Sequence, residues 1–234
     1  MILYVNGDSH AAAAQAVNNH AFAQDDPAYF FSGRRPHPDN LVVSWARQLS
    51  RTLNAALHLD AESDSSNARI VRTTQAWLAA RADAVQDILV IIQWSSWEKE
   101  EWLIDGTYYQ ISASGIDQVP ESHQQQYKQF VVTVDRKSKT QQAHDEIWQF
   151  HQELDQQGIR HIFVNSNTDL AQIAKKKSWG TSYIGPYDPG LTYDAVIRAQ
   201  GIETTAPNSY HFGKDGHSVF HRFMLQYIIE NKYI

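Results

Sequence analysis

The pentapeptide Ile88-Leu89-Val90-Ile91-Ile92 constrains the fold of this 234-residue chain more than any other stretch. An unbroken apolar run, mostly β-branched, has no polar face to give to water. A strand built from it is covered on both sides, which is the condition of a central strand in a parallel sheet flanked by helices. Ile2-Leu3-Tyr4-Val5, Leu57-His58-Leu59 and His161-Ile162-Phe163-Val164 are shorter runs of the same character. Between them apolar residues recur at helical spacing. Val42, Trp45, Leu49, Leu53 and Leu57 predict one helix capped by Asp39 or Asn40; Ile70, Val71, Thr74, Trp77 and Leu78 predict a second. Ile147, Trp148, His151 and Leu154 predict a third, stopped by Gly158, and Val219, Phe220, Phe223, Met224, Tyr227 and Ile228 a last one from about Ser218. Strands alternating with helices imply right-handed crossovers, and hence a three-layer α/β protein with a parallel sheet of four to five strands.

The pattern is read as a single domain over 1–234, interrupted by an excursion at about 104–126 where periodicity is lost and Gly, Ser, Pro and Gln accumulate. Ala11 to Ala16 reads as a helix, and Glu98 to Glu101 as a solvated helical face. Val17 to Asn40, with Tyr29-Phe30-Phe31, reads as a long aromatic loop close to the turn after the first strand, and the stretch 178–210 as a second aromatic loop.

Composition narrows the function classes. A net charge of −6, with no basic cluster longer than Lys175-Lys176-Lys177, argues against nucleic acid as a partner. The absence of cysteine removes disulfides, zinc-thiolate sites and thiol catalysis. No apolar run reaches the roughly eighteen residues of a membrane span, and the N-terminus lacks the pattern of a signal peptide. The expectation is a soluble, cytoplasmic protein without a membrane partner. Seven Trp and eleven Tyr either line a ligand surface or fill the interior.

Parallel sheets carry their sites at the C-terminal ends of the strands. The polar clusters Asp8-Ser9, Ser63 to Asn67, Ser95-Ser96 and Asn165 to Asn167 each follow an expected strand. Acyl transfer needs a hydroxyl nucleophile, a base and donors for the oxyanion. Ser9 is the candidate nucleophile, His217 the base and Asp215 the group that orients the imidazole. The backbone N–H groups of Ser9 and Asp64, with the side chain of Asn67 or Ser96, are the candidate oxyanion donors. Asp8 either lines the pocket or satisfies loose backbone groups of the turn, His10 either lines the pocket or caps a helix, and Trp94 and Trp97 either stack on a sugar or pack inside. His211 either bonds a loop backbone or helps bind substrate. His211, His217 and His221, with Asp8, His10 and Asp215, offer a metallohydrolase site as the alternative; the serine reading needs no metal and no cofactor.

Gly7-Asp8-Ser9 after the first strand, the Ser/Asn turn after the second and an Asp/His pair before the last helix together resemble the SGNH/GDSL hydrolases. Ser65-Ser66-Asn67-Ala68-Arg69-Ile70, Trp94-Ser95-Ser96-Trp97-Glu98 and His211-Phe212-Gly213 are similar to a branch found among phage proteins. The resemblance implies a flavodoxin-like sandwich and a serine esterase acting on acetylated sugars or related small esters. It also marks departures. Asp64 stands where a glycine is expected, Trp94-Ser95-Ser96-Trp97 replaces Gly-x-Asn-Asp, and Asp215 lies two residues before His217 instead of three. A catalytically degenerate protein of this fold, binding carbohydrate or serving in a virion, is the second expectation.

Overall fold

In a computed structural model, residues 1–17, 36–112 and 119–234 are described, and the aromatic triplet at 29–31 lies outside them. Four strands form the parallel sheet: β1 (Ile2–Gly7), β2 (Ala56–Leu59), β3 (Ile88–Trp94) and β6 (Arg160–Asn165), in the order β2-β1-β3-β6. That order is the flavodoxin-like one. As the apolar pentapeptide requires, β3 is central and buried at every residue.

Alternate side chains of each strand serve two cores. On one face Leu3, Val5, Leu89, Ile91, Ile162 and Val164 pack against α2 (Trp45–Thr52), α6 (Tyr193–Arg198) and α7 (Lys214–Glu230). On the other, Tyr4, Val90, Ile92 and Phe163 pack against α3 (Asn67–Ala79) and α5 (Arg136–Gln156). The result is the expected three-layer sandwich. No described helix is long and apolar enough to cross a membrane.

Four local expectations are corrected. The single helix expected around Val42 to Leu57 is two, α1 (Pro38–Val43) and α2, because Ser44 breaks the chain and its hydroxyl accepts the Arg47 N–H as a new N-cap. Leu57 accordingly belongs to β2. Ala11 to Ala16 forms tight turns, with Ala13 and Gln15 in the left-handed region at φ 56° and 62°. The charged stretch near Glu98 is no helical face: Glu100–Ile104 is β4, paired antiparallel with β5 (Thr107–Ile111). Asp105-Gly106, with φ of 49° and 79°, makes the two-residue hairpin turn, and this dipeptide between aromatic residues was the overlooked signal. Lastly, α7 starts at Lys214, capped by extended Gly213, so Asp215 and His217 lie inside its first turn. Much of the excursion is thus ordered, with α4 (Gln124–Thr133) completing it.

Candidate functional site

The C-terminal edge of the sheet is built around the turn after β1. Gly7 is required there, since a Cβ would come within 2.8 Å of both the Ala11 Cβ and the Gln93 carbonyl oxygen. The chain then folds tightly on itself, with Ala12 N–H donating to the Asp8 carbonyl and Ala14 N–H to the Ser9 carbonyl, each at 2.9 Å. The small side chains of Ala11 to Ala14 are buried, which fixes the turn against the core. Ser9 is half-buried at its start, and neither its hydroxyl nor its N–H donates to another described residue.

Asp8 is the hub of this edge. Its Oδ1 accepts His10 N–H and His10 Nδ1–H, both at 3.0 Å, and the Ser166 hydroxyl at 3.3 Å; its Oδ2 accepts the Ser95 hydroxyl at 3.0 Å. One carboxylate therefore ties together the ends of β1, β3 and β6. Burial alone would raise its pKa, but the neighbouring His10 and Lys99 charges and the His10 hydrogen bonds hold it well below the usual carboxylate range. A carboxylate so saturated positions neighbours and is not a base. The His10 Nε2 is buried without a hydrogen-bond partner among the described residues.

The second loop carries Asp64 at φ 66°, the left-handed backbone for which a glycine is usual. This loop is tied to the first by Glu62 N–H on the Gly7 carbonyl at 3.2 Å, and braced by Arg69, whose Nη2 lies 2.7 Å from Glu62 Oε1. The expected side-chain donors are committed elsewhere. Asn67 Oδ1 accepts Ser95 N–H at 2.9 Å while its amide faces the Ser95 carbonyl at 3.4 Å, and Ser96 donates to Glu98 at 2.7 Å. Trp94 is fully buried, edge-on to Phe150 and Phe163, so it is core and not a sugar platform. Trp97, only 5% exposed, lies beside clefts of about 280 and 480 Å³.

The histidines divide sharply. His217 is 1% exposed, with the Trp45 backbone N–H 3.4 Å from its Nδ1 and the Tyr193 hydroxyl 3.4 and 3.5 Å from its two ring nitrogens. Burial pushes its pKa down to about 3, helped by His10 and His211. Asp215 is exposed and makes no hydrogen bond to it. Two residues on a helix are about 200° apart, so a carboxylate facing solvent cannot serve an imidazole facing the core. Further along α7, the His221 Nε2 pairs with the Thr52 hydroxyl at 3.0 Å, away from the strand ends. Among the described residues no three His, Asp or Glu side chains converge on a point that could hold a metal ion.

His211 is placed differently. It is half-buried on the segment leading into α7, and its Nδ1 lies 2.9 Å from Gln15 Oε1, on the same turn that bears Ser9. An amide oxygen only accepts, so Nδ1 carries the proton and Nε2 keeps its lone pair. Ser209 completes the clamp, accepting His211 N–H at 3.0 Å and donating to Gln15 Oε1 at 3.3 Å. Burial foremost, with His10 next and Lys99 also acting, pushes the His211 pKa down to about 4, against the opposing pull of Asp8. Gln15 and Lys99 are the residues that sequence reasoning missed. Gln15 sat in a stretch read as helix, and Lys99 in one read as a solvated face. The visible signal for His211 was its place just ahead of Gly213, where the chain returns to the sheet edge.

Residues 38–167 match the model of a family described as a family of unknown function (DUF6071), a span that includes neither Ser9 nor His211. No curated protein matches the sequence. Among solved structures, the chain is similar to an acetyl xylan esterase (Est2A) from the rumen bacterium Butyrivibrio proteoclasticus, at 14% identity and a TM-score of 0.49. The alignment covers 97% of this chain and 63% of that one, so the chain spans less than two thirds of the esterase's length.

Proposed function

The chain belongs to a family of unknown function, DUF6071, and on that premise we propose that it is a serine ester hydrolase of the SGNH/GDSL type, removing a short acyl group through an acyl-enzyme on Ser9. The observation that carries this reading is the clamp of Gln15 on His211. It puts a neutral imidazole with an available Nε2 on the loop system of a half-buried serine hydroxyl at the C-terminal end of a central strand. His211 thereby replaces His217 as the base, and Gln15 replaces Asp215 as the orienting group.

In the proposed reaction Ser9 Oγ attacks the acyl carbon as its proton passes to His211 Nε2, and the carbonyl π pair moves onto oxygen. The tetrahedral intermediate collapses with cleavage of the bond to the alcohol, which leaves with the proton from His211. Water, deprotonated by the same nitrogen, then releases the acid and restores Ser9. The Ser9 and Asp64 N–H groups are the backbone donors to the oxyanion. An O-acetylated carbohydrate is the substrate class, supported by the cleft of about 480 Å³ beside Trp97, whose lining includes Thr140, Asn167, Asp169 and Gln172. Such a wall offers hydrogen bonds to an alcohol rich in hydroxyls.

The second reading, a carbohydrate-binding protein of the same fold that has lost catalysis, is favoured by the commitment of Asn67 and Ser96 to other partners. A fluorophosphonate probe and p-nitrophenyl acetate separate the two. Labelling of Ser9, with turnover abolished in Ser9→Ala, supports the hydrolase. An unlabelled Ser9, with equal turnover in both proteins, leaves the binding reading.

A further inference from the structure

Lys99 stands at the start of the β4–β5 hairpin, with its side chain 16% exposed. Its ammonium lies 3.7 Å from Asp8 Oδ2 and 3.9 Å from Asp64 Oδ1, at the meeting of the first and second loops. Both separations are those of ion pairs and exceed hydrogen-bond length, and Nζ makes no hydrogen bond to any described residue. A largely buried cation thus keeps three N–H donors uncommitted, at the wall of a cleft of about 280 Å³ shared with Asn67, Trp97, Gln142 and Glu146.

Its position is built. Glu101, two residues on, receives the Arg72 guanidinium in a two-point bond at 2.8 and 2.7 Å. Gln110 on the opposite strand accepts Ser66 N–H at 2.8 Å and donates to Glu101 at 2.7 Å. The hairpin is thereby latched to the N-cap and second turn of α3, and that latch holds Lys99 beside the Asp8 and Asp64 carboxylates.

Two electrostatic problems meet at the same place. The side chains expected to bind the oxyanion are spoken for, because Asn67 is pinned to Ser95 and Ser96 to Glu98. In addition, Asp8 and Asp64 bring two carboxylates to an edge where negative charge is to develop. An ammonium beside both would answer each problem, offsetting the carboxylates and offering free donors to the new anion. A compact ammonium on a four-carbon stem can follow the carbonyl oxygen as it becomes tetrahedral.

We propose that Lys99 binds the oxyanion of the tetrahedral intermediate, in place of a side-chain amide donor. The role rests on the serine-hydrolase reading above. Lys99 neither gives nor takes a proton in it, and stabilises charge only while that charge exists. Glu100 and Glu101 on the same cleft are already paired, with Lys139 and Arg72, so neither competes for the Lys99 ammonium.

The test compares wild type, Lys99→Met, Lys99→Gln, Lys99→Arg and Ser9→Ala on p-nitrophenyl acetate, with inhibition by phenylboronic acid as a tetrahedral mimic and thermal melting as a control for folding. Lys99→Met is expected to lower kcat about a hundredfold, leave KM within about twofold and weaken boronate inhibition in proportion, with Lys99→Arg recovering part of the loss. Where Lys99→Met does not fold, Lys99→Gln takes its place. Wild-type kcat in the folded neutral variant, or a loss confined to KM with boronate inhibition unchanged, would overturn the role of Lys99 while the serine reading stands. Full turnover by Ser9→Ala would sink both.

Discussion

His211 and His217 are six residues apart on one short segment, yet the fold gives them opposite situations. His217 is on the inner face of α7, fully enclosed, with backbone and phenol as neighbours. His211 sits on the run before that helix, half-buried and clamped by a side-chain carbonyl from the far end of the chain. Both pKa values are depressed by burial, so the difference is not one of basicity alone. It is one of access and tautomer. On the proposed reading, what marks His211 as the base is what holds one of its nitrogens and what the other can reach, more than a nearby aspartate in sequence.

The sharpest way to break this contrast is to remove each ring. His211→Ala is expected to lower kcat/KM on p-nitrophenyl acetate by on the order of 10³-fold with little change in Tm. His217→Ala is expected to leave kcat/KM within a few-fold while costing about 2–3 kcal/mol of stability in urea titration, since it opens a hole beside Tyr193 and strands the Trp45 N–H. The reverse pattern would restore His217 as the base.

Acid should act on both histidines through different observables. With the His211 pKa at about 4, kcat/KM measured on folded enzyme is expected to rise with pH through that value and level off towards neutrality. Stability has the same sign for a separate reason. His217, at about 3, and His161, at about 4, are held neutral when folded but titrate near 6.5 when unfolded. The unfolded chain therefore binds more protons as pH falls below about 6.5, and stability declines from there down to the folded values, by on the order of a few kcal/mol per group. Urea titrations from pH 7 to 4 read this loss; a flat profile would argue against both rings being buried and neutral.

Smaller effects test the clamp. Gln15→Ala frees the Nδ1 side of His211 and is expected to reduce kcat roughly tenfold, with Gln15→Glu recovering most of it, because a carboxylate accepts the same proton. Asp215→Asn is expected to change neither kcat nor, beyond about 0.5 kcal/mol, stability, as befits an exposed residue without a hydrogen bond.

Much of the architecture was legible because it follows from local periodicity. The apolar pentapeptide became the buried central strand, and the helical stripes of α3, α5 and α7 became the inner faces of two layers. Where reading failed, a short-range signal was overruled or missed. Alanine favours helix in isolation, but Ala11 to Ala16 turns tightly because Gly7 admits the chain against Gln93 and the small side chains then fill the core. Ser44 outweighed the apolar spacing around it by capping a new helix. Asp105-Gly106 announced a hairpin inside a stretch that looked aperiodic.

By itself the sequence determined the layer order, the edge of the sheet on which polar chemistry collects, and Ser9 as the hydroxyl at the end of the first strand. Those are matters of period and of strand polarity, which a chain carries locally. Only the tertiary structure decided which histidine faces that edge, that Gln15 holds it, that Asp8 binds three strand ends together, and that Lys99 leans over the Asp8 and Asp64 carboxylates. Each of these joins residues far apart in the chain, and each depends on where a side chain points once two elements pack. Helix phase turned His217 inward and Asp215 outward, and the short loop from the end of β3 into β4 set Lys99 beside the first loop.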